Sequence, residues 1–423
     1  MALARTSLRG FLTHAKYLLQ VAQTRQSPVT FVIGNESADL DSISSAIIYS
    51  YIATISPQPV SPPVVHIPLL NIPRTDLPLR PELLHLLPHA NITASHLLTL
   101  SDLGDPSTLP SRLPADKTRW ILVDHNALSG VLGQHYAHRV VGCIDHHVDE
   151  GKVPVDNTGG GEPRVIETAG SCTSLVVRHF REKWDAWFLS VSFSGAANGQ
   201  GDNLIEDGAF ATLWDAQVAL LGLGAMLVDT ACLKDGNKTE EVDREVVGYL
   251  EAKVGMSGKV GRGYAREGFW EGVQKAKEDL DGMGVRDVLR RDYKEWSEGE
   301  GKLGTGAVVR AWEDLEGKAK GEGKVLGEVC RGFAEEMGLR VVSVMTGYMV
   351  EGEFRRQLMV GAGSKEGREV VERFRKECSE GLRLEEIRHE DEEGWVSYVW
   401  QQRNLAASRK QIAPMLRKAM ASK

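Results

Sequence analysis

At 423 residues, with 42% hydrophobic and 26% charged residues, the chain has the composition of a folded protein rather than a disordered or fibrous one, and its length favours two domains. A formal net charge of −8 argues against a general binder of long nucleic acid, but it is compatible with a local basic cleft facing a polyanion. Five scattered cysteines (Cys143, Cys172, Cys232, Cys330 and Cys378) include no CxxC pair, which argues against a disulfide framework or zinc knuckle and fits a reducing compartment.

The opening stretch MALARTSLRGFLTHAKYLLQ is basic and contains serine, as mitochondrial presequences do. Its Leu8, Phe11, Leu12 and Leu18 recur at helical spacing, so the reading adopted is an amphipathic first helix in a cytoplasmic protein, with the mitochondrial matrix as the alternative. Apolar runs follow at VTFVI before Gly34, VVHIPLL from Val64, WILVD from Trp120 and RVVGCID from Arg139. Interleaved with helical patterns at 42–55 and 171–184, they predict an α/β fold, a doubly wound, mostly parallel sheet. Such a sheet gathers its ligands beyond the carboxyl ends of the strands.

The segment SFSGAANGQGDNLIED, residues 192–207, reads as a solvated loop. A long apolar helix is predicted over 215–233; Gly222, Gly224 and Asp229 interrupt it short of the roughly 18 apolar residues of a membrane span, and no membrane partner is expected. The polar KDGNKT that follows reads as a hinge at 235–240, with Thr239 capping the next helix. This divides the chain into 1–234 and 241–423. In the second part, charged helices at 269–280 and 285–296 precede strand-like runs at 307–312, 340–349, 356–360 and 395–400, a smaller α+β domain.

Acids and imidazoles fall where the sheet should deliver them. The first strand runs into GNESADLDS, placing Asn35, Asp39 and Asp41 in a tight strand-to-helix turn, although either Asp alone could be a helix cap. The run WILVDHN delivers Asp124 and His125, and VVGCIDHHVDEG delivers Asp145, His146 and His147. Asp229 is a lone acid in the apolar LLGLGAMLVDTACL, where an unpaired charge would be costly to bury. Carboxylate oxygens together with imidazole nitrogens suit Mn²⁺, Co²⁺ or Zn²⁺, and all-carboxylate sites suit Mg²⁺.

Taken in order, GNESADLDS, LVDHN, CIDHH and LVDT resemble the four motifs of the DHH phosphoesterases, and ASRKQIAPML is similar to the signature of a C-terminal domain found in part of that superfamily. Asn35 stands where family pyrophosphatases begin with His, and this form is similar to that of the eukaryotic exopolyphosphatases. The resemblance implies hydrolysis of terminal phosphate from inorganic polyphosphate, with a pyrophosphatase and a prune-like phosphodiesterase or scaffold as alternatives. It implies two divalent ions, Mn²⁺ or Mg²⁺ with Co²⁺ compatible, in a cleft between the domains. Asn35, Asp39 and the bridging Asp124 would hold the weaker ion; Asp41, Asp124, His146 and Asp229 would hold the other. His147 would bond a phosphate oxygen, Asp145 would orient an imidazole, and Arg409 and Lys410 would offset phosphate charge. His125 either lines the pocket or packs at the strand end. Ser408, Gln411, Lys234, Lys238, Arg355, Arg356 and Arg388 are further candidates for phosphate contact.

Overall fold

In the computed structural model, five short apolar runs pair into one parallel sheet of order β2-β1-β3-β4-β5: β1 (Val29–Ile33), β2 (His66–Leu69), β3 (Thr118–Val123), β4 (Val140–Asp145) and β5 (Arg164–Ile166). The structure describes residues 6–56, 64–154, 162–194, 203–299, 301–392 and 394–421. Successive strand residues face opposite sides, so each strand serves two cores. Phe31, Ile33, Trp120 and Leu122 join the core under the Leu8–Arg25 helix. Val32, Ile121, Val123 and Ile144 join the one formed with the Leu40–Ile55, Cys172–Ser194 and Asn203–Asp229 helices. The first helix buries Leu8, Phe11 and Leu12 as predicted; Leu19 is buried in place of Leu18, which is only partly covered.

The Leu40–Ile55 helix matters most for the site, because it starts directly after β1. Ile43, Ile47, Ile48 and Ile52 are each at most 1% exposed. At about 2 kcal/mol for each buried side chain, they fix the helix against the sheet and the preceding turn with it. The stretch Phe210–Asp229 has the length and apolarity of a membrane span, but 83% of its apolar window is buried inside the fold, as a core helix requires. Of the loop expected at 192–207, residues 195–202 lie outside the described residues, and the flanks belong to helices.

The chain divides at Lys277/Glu278 rather than at 235–240. The Glu241–Gly255 helix sends Val246, Val247, Leu250 and Val254 into the core of the first unit, so the expected hinge is a turn within that unit. Glu240, not Thr239, is its N-cap, and its N–H donates to Asp243 at 2.8 Å.

The second unit holds a mixed sheet of order β10-β11-β9-β8-β7-β6, with β6 (Tyr293–Glu298), β7 (Gly301–Val308), β8 (Val341–Val350), β9 (Glu353–Ala362), β10 (Leu384–Glu392) and β11 (Trp395–Gln402). Only β7 and β8 pair in parallel. The helix predicted at 285–296 ends at Arg291 and gives way to β6. Residues of the Lys365–Leu382 and Arg409–Ala421 helices, among them Val371, Phe374, Ile412 and Leu416, pack on Leu358, Val360 and Trp400.

Candidate metal centre at the carboxyl edge of the parallel sheet

Gly34 ends β1, and a Cβ there would lie 2.6 Å from Ser42 Cβ, so only glycine lets the helix start this close to the strand. The turn that follows is tight: the Ala38 N–H donates to Asn35 O at 3.1 Å, and Ala38 takes a left-handed φ of 43°. The capping expected of Asp39 is realised, since its Oδ1 accepts the Ser42 N–H at 3.0 Å from an exposed position. Asp41, in contrast, is buried and faces the start of the Cys172–Ser194 helix. It accepts Ser171 Oγ–H at 2.7 Å, Cys172 N–H at 2.6 Å, and Thr173 N–H and Oγ–H at 2.9 and 2.6 Å. Donors at a helix N-terminus, with the helix dipole behind them, stabilise a carboxylate in this position.

Asp124 follows β3 in the left-handed region, φ 61°, with its N–H donating to Ile144 O at 3.1 Å. Only 2% of the residue is exposed, and its two oxygens meet different surroundings. Oδ2 accepts Asn35 Nδ2–H at 2.8 Å and Ser42 Oγ–H at 2.6 Å. Oδ1 faces His146 Nε2 at 3.2 Å and His147 Nδ1 at 3.7 Å.

In the Asp-His-His after β4, Asp145 stands against an imidazole, the place that the resemblance implies for it. Asp145, fully buried, accepts His147 Nδ1–H at 2.8 Å, Asn126 Nδ2–H at 2.6 Å and the His146 N–H at 2.8 Å. Burial opposes its ionisation, but the His147 ring and the Asn126 amide hold its carboxyl down at about 2. His146 donates from Nδ1 to Ala169 O at 2.8 Å, which turns Nε2 toward Asp124. Such a bond from the far ring nitrogen is how ligating histidines are usually oriented. His125 is tied back to its strand, Nδ1 against Val123 O at 3.0 Å.

Asp229 ends its helix within the field of Asp41, Asp39 and Asp124; burial first, and those acids second, push its carboxyl well above the usual range. Burial likewise raises Asp124, again with Asp39 and Asp41 adding to the effect. For Asp124 the hydrogen bond from His146 works the other way, so the buried carboxylates here favour a positively charged neighbour. Candidate ligand atoms of Asp124, His146 and His147 lie within 4.8 Å of one another. The donor set around Asp124 Oδ1, with Asp41 and Asp229 near, therefore fits a divalent cation with mixed nitrogen and oxygen ligands.

The other expected position does not fit in the same way. Asn35 presents its NH₂ to Asp124 while its Oδ1 accepts the Ser37 N–H at 2.9 Å, and reversing the amide would set oxygen against carboxylate. Asn35 here donates to Asp124, and Asp39 caps the helix.

The basic candidates are dispersed. Arg409 donates to Asp292 O at 2.9 Å and pairs with its carboxylate at 2.8 Å, whereas Lys410 is exposed. Ser408 and Gln411 bond each other at 2.9 Å. Lys234 stands 5.5 Å over the Trp270 ring, and Lys238 lies 3.7 Å from Asp235. Arg355 lies 3.7 Å from Glu353, Arg356 donates to Leu405 O at 3.0 Å, and Arg388 reaches Glu316 at 2.5 Å. Ser42, Asn126 and the AGSCTS turn at 169–174 were not singled out from the sequence. Ser42 and Asn126 stand inside or beside quoted motifs, and the Ser/Thr cluster just before a helix is a capping signal.

The N-terminal domain model of the DHH family matches residues 29–193, and the DHHA2 domain model matches 271–419. A Schizosaccharomyces pombe protein described as "Putative exopolyphosphatase" is 32% identical over 94% of this chain and 93% of its own length. Human "Exopolyphosphatase PRUNE1" is 26% identical over 65% of this chain, a match that spans 51% of the human protein. Among solved structures, a Methanococcus jannaschii protein described as a "putative family II inorganic pyrophosphatase" shares the fold, with a TM-score of 0.54 at 18% identity over 93% of this chain and all of the other.

Proposed function

Because the chain belongs to the DHH family and carries that family's DHHA2 domain, we propose that it is an exopolyphosphatase, a metal-dependent hydrolase that releases orthophosphate from the ends of inorganic polyphosphate. The observation that carries this reading is the cluster of Asp41, Asp124, His146 and Asp229 at the sheet edge, with Asp124 and Asp229 raised by burial, in a chain that aligns with the S. pombe relative over 94% of its length.

Asp124, through Oδ1, His146, through Nε2, and Asp41 and Asp229 are the residues assigned to hold a divalent cation, Mn²⁺ or Mg²⁺. When bound, the ion supplies Lewis acidity and lowers the pKa of a coordinated water toward neutrality. Asn35 and Ser42 hold Asp124 Oδ2, so the carboxylate keeps one orientation. His147 keeps its Nδ1–H on Asp145, and its Nε2 is the atom assigned to hydrogen-bond a phosphate oxygen. Asp145, dry and ionised, fixes that ring. In the second unit, Arg409 is engaged by Asp292, and the exposed Lys410 is the residue assigned to offset the charge of the polymer.

Orthophosphate release from long-chain polyphosphate, tripolyphosphate and pyrophosphate, compared in Mg²⁺ and in Mn²⁺, tests the assignment. Release from the polymers with little from pyrophosphate is the expected result. Fast pyrophosphate cleavage would make the chain a pyrophosphatase, and no release from any of the three would favour a scaffold role.

A further inference from the structure

The turn that aims the candidate ligands is itself gripped by an acid with no part in the chemistry above. Residues 169–174 lie between β5 and the Cys172–Ser194 helix and extend into its first turn. The Ala169 carbonyl takes the Nδ1 proton of His146, while Ser171, Cys172 and Thr173 supply all four short bonds to Asp41. At Gly170 a Cβ would meet Thr230 Cγ2 at 2.8 Å, so the turn also packs against the residue next to Asp229. Two of the four proposed metal ligands are therefore held by one short turn, which also packs beside the neighbour of a third.

What holds that turn is Asp243, from the Glu241–Gly255 helix and 0% exposed. Its carboxylate accepts the Gly170 N–H at 2.8 Å, the Ser171 N–H at 3.3 Å, the Ser174 hydroxyl and the Glu240 N–H at 2.8 Å. The fit is close, since a Cβ on residue 170 would stand 2.6 Å from Asp243 Oδ2 and 2.7 Å from Lys238 O. All four partners are donors, so an ionised acid satisfies them and an amide cannot satisfy all of them.

We infer that Asp243 is a positioning residue for the metal site, acting through the 169–174 turn on Asp41 and His146. The inference rests on the metal-site reading above. Asparagine in place of Asp243 sets an NH₂ against backbone and hydroxyl donors, the turn shifts, and Ser171 Oγ and Ala169 O no longer aim their partners.

The test is Mn²⁺ binding to the metal-stripped full chain, followed by electron paramagnetic resonance of free Mn²⁺, for the wild type, Asp243→Asn, Ser171→Ala and the double variant. Outer partners of metal ligands are generally worth about 10–100-fold in affinity. The expected result is a loss of that size for Asp243→Asn and a double variant little weaker than the worse single one, because both act through one turn. The turnover rate on polyphosphate falls while KM changes by less than about twofold. Folded Asp243→Asn protein with wild-type Mn²⁺ affinity overturns the inference, as does full additivity in the double variant. If Asp243→Asn does not fold, Gly170→Ala, which pushes the carboxylate from the turn, is read in the same way. Failure of the wild type to bind Mn²⁺ would instead sink the metal-site reading.

Discussion

The two edges of the parallel sheet treat buried charge in opposite ways. At the amino edge, Glu162 accepts the Tyr49 hydroxyl at 2.8 Å, lies 3.3 Å from His66 Nε2 and has Arg119 at 3.7 Å, so this acid is well partnered. At the carboxyl edge, Asp39, Asp41, Asp124 and Asp229 crowd together with His146 among them, and burial drives Asp124 and Asp229 toward the protonated form. Strain gathers there as well. Ala38 and Asp124 take left-handed backbone, and so do Ala231, Cys232 and Leu233 just after Asp229, at φ 48°, 59° and 64°. Buried acids beside strained backbone are a common mark of functional sites. The amino edge shows that the same sheet can neutralise an acid when only stability is at issue.

The largest effect that would break this contrast is at Asp124. Asp124→Asn keeps the shape but loses the anionic Oδ1, and polyphosphate hydrolysis should fall by more than the roughly 10–100-fold typical of outer residues, with the fold intact by circular dichroism. Asp145→Asn, which disturbs the His147 ring and reaches the proposed ligand His146 only through its backbone N–H, should lower turnover by about 10–100-fold and leave Mn²⁺ affinity closer to wild type. Cation binding should also appear as stability. At a free Mn²⁺ concentration of 100 times Kd, the melting transition should reflect about 2.7 kcal/mol of added stability, absent in Asp124→Asn.

The amino edge should respond in stability alone. Tyr49→Phe removes one bond to buried Glu162 and should cost about 1–2 kcal/mol in denaturant unfolding with turnover unchanged. Burial works against an ionised Glu162, but His66 and Tyr49 hold its carboxyl below the usual value. A depressed acid stabilises the fold above its unfolded pKa of about 4.3, and that stability is lost as pH falls through the folded value. Glu162→Gln should therefore flatten the acid side of the stability profile. The smallest effect is at Ala231, where glycine relieves a left-handed alanine and should raise stability by about 1 kcal/mol or less.

Much of this contrast could be read in the sequence, because a parallel sheet ends its apolar runs at one edge and whatever follows each run must meet there. Asp124, Asp145, His146 and His147 were legible for that reason. The tasks of Asn35 and Asp39 were not, since a turn of that composition serves ligation, capping or hydrogen bonding equally well, and only the position of Asp124 decides among them. Asp41 and Ser171 are 130 positions apart, and no local pattern announces their bond. Edge strands β6 and β10 escaped notice because YKEWSE and LEEIRHEDE carry charge on both faces and little of either strand is buried. The supposed hinge had hinge-like composition, but composition does not say which core Val246, Val247 and Leu250 join.

The account stands or falls on whether hydrolysis follows cation binding at the carboxyl edge. The most direct measurement is to strip the full chain of metal, titrate Mn²⁺ back, and record bound Mn²⁺ and orthophosphate release from polyphosphate on the same samples. Without metal no release is expected, with Mn²⁺ the rate should rise in step with occupancy, and in Asp124→Asn binding and release should both be lost. Undiminished release from the metal-free protein, or Mn²⁺ binding and turnover that survive in Asp124→Asn, would contradict it.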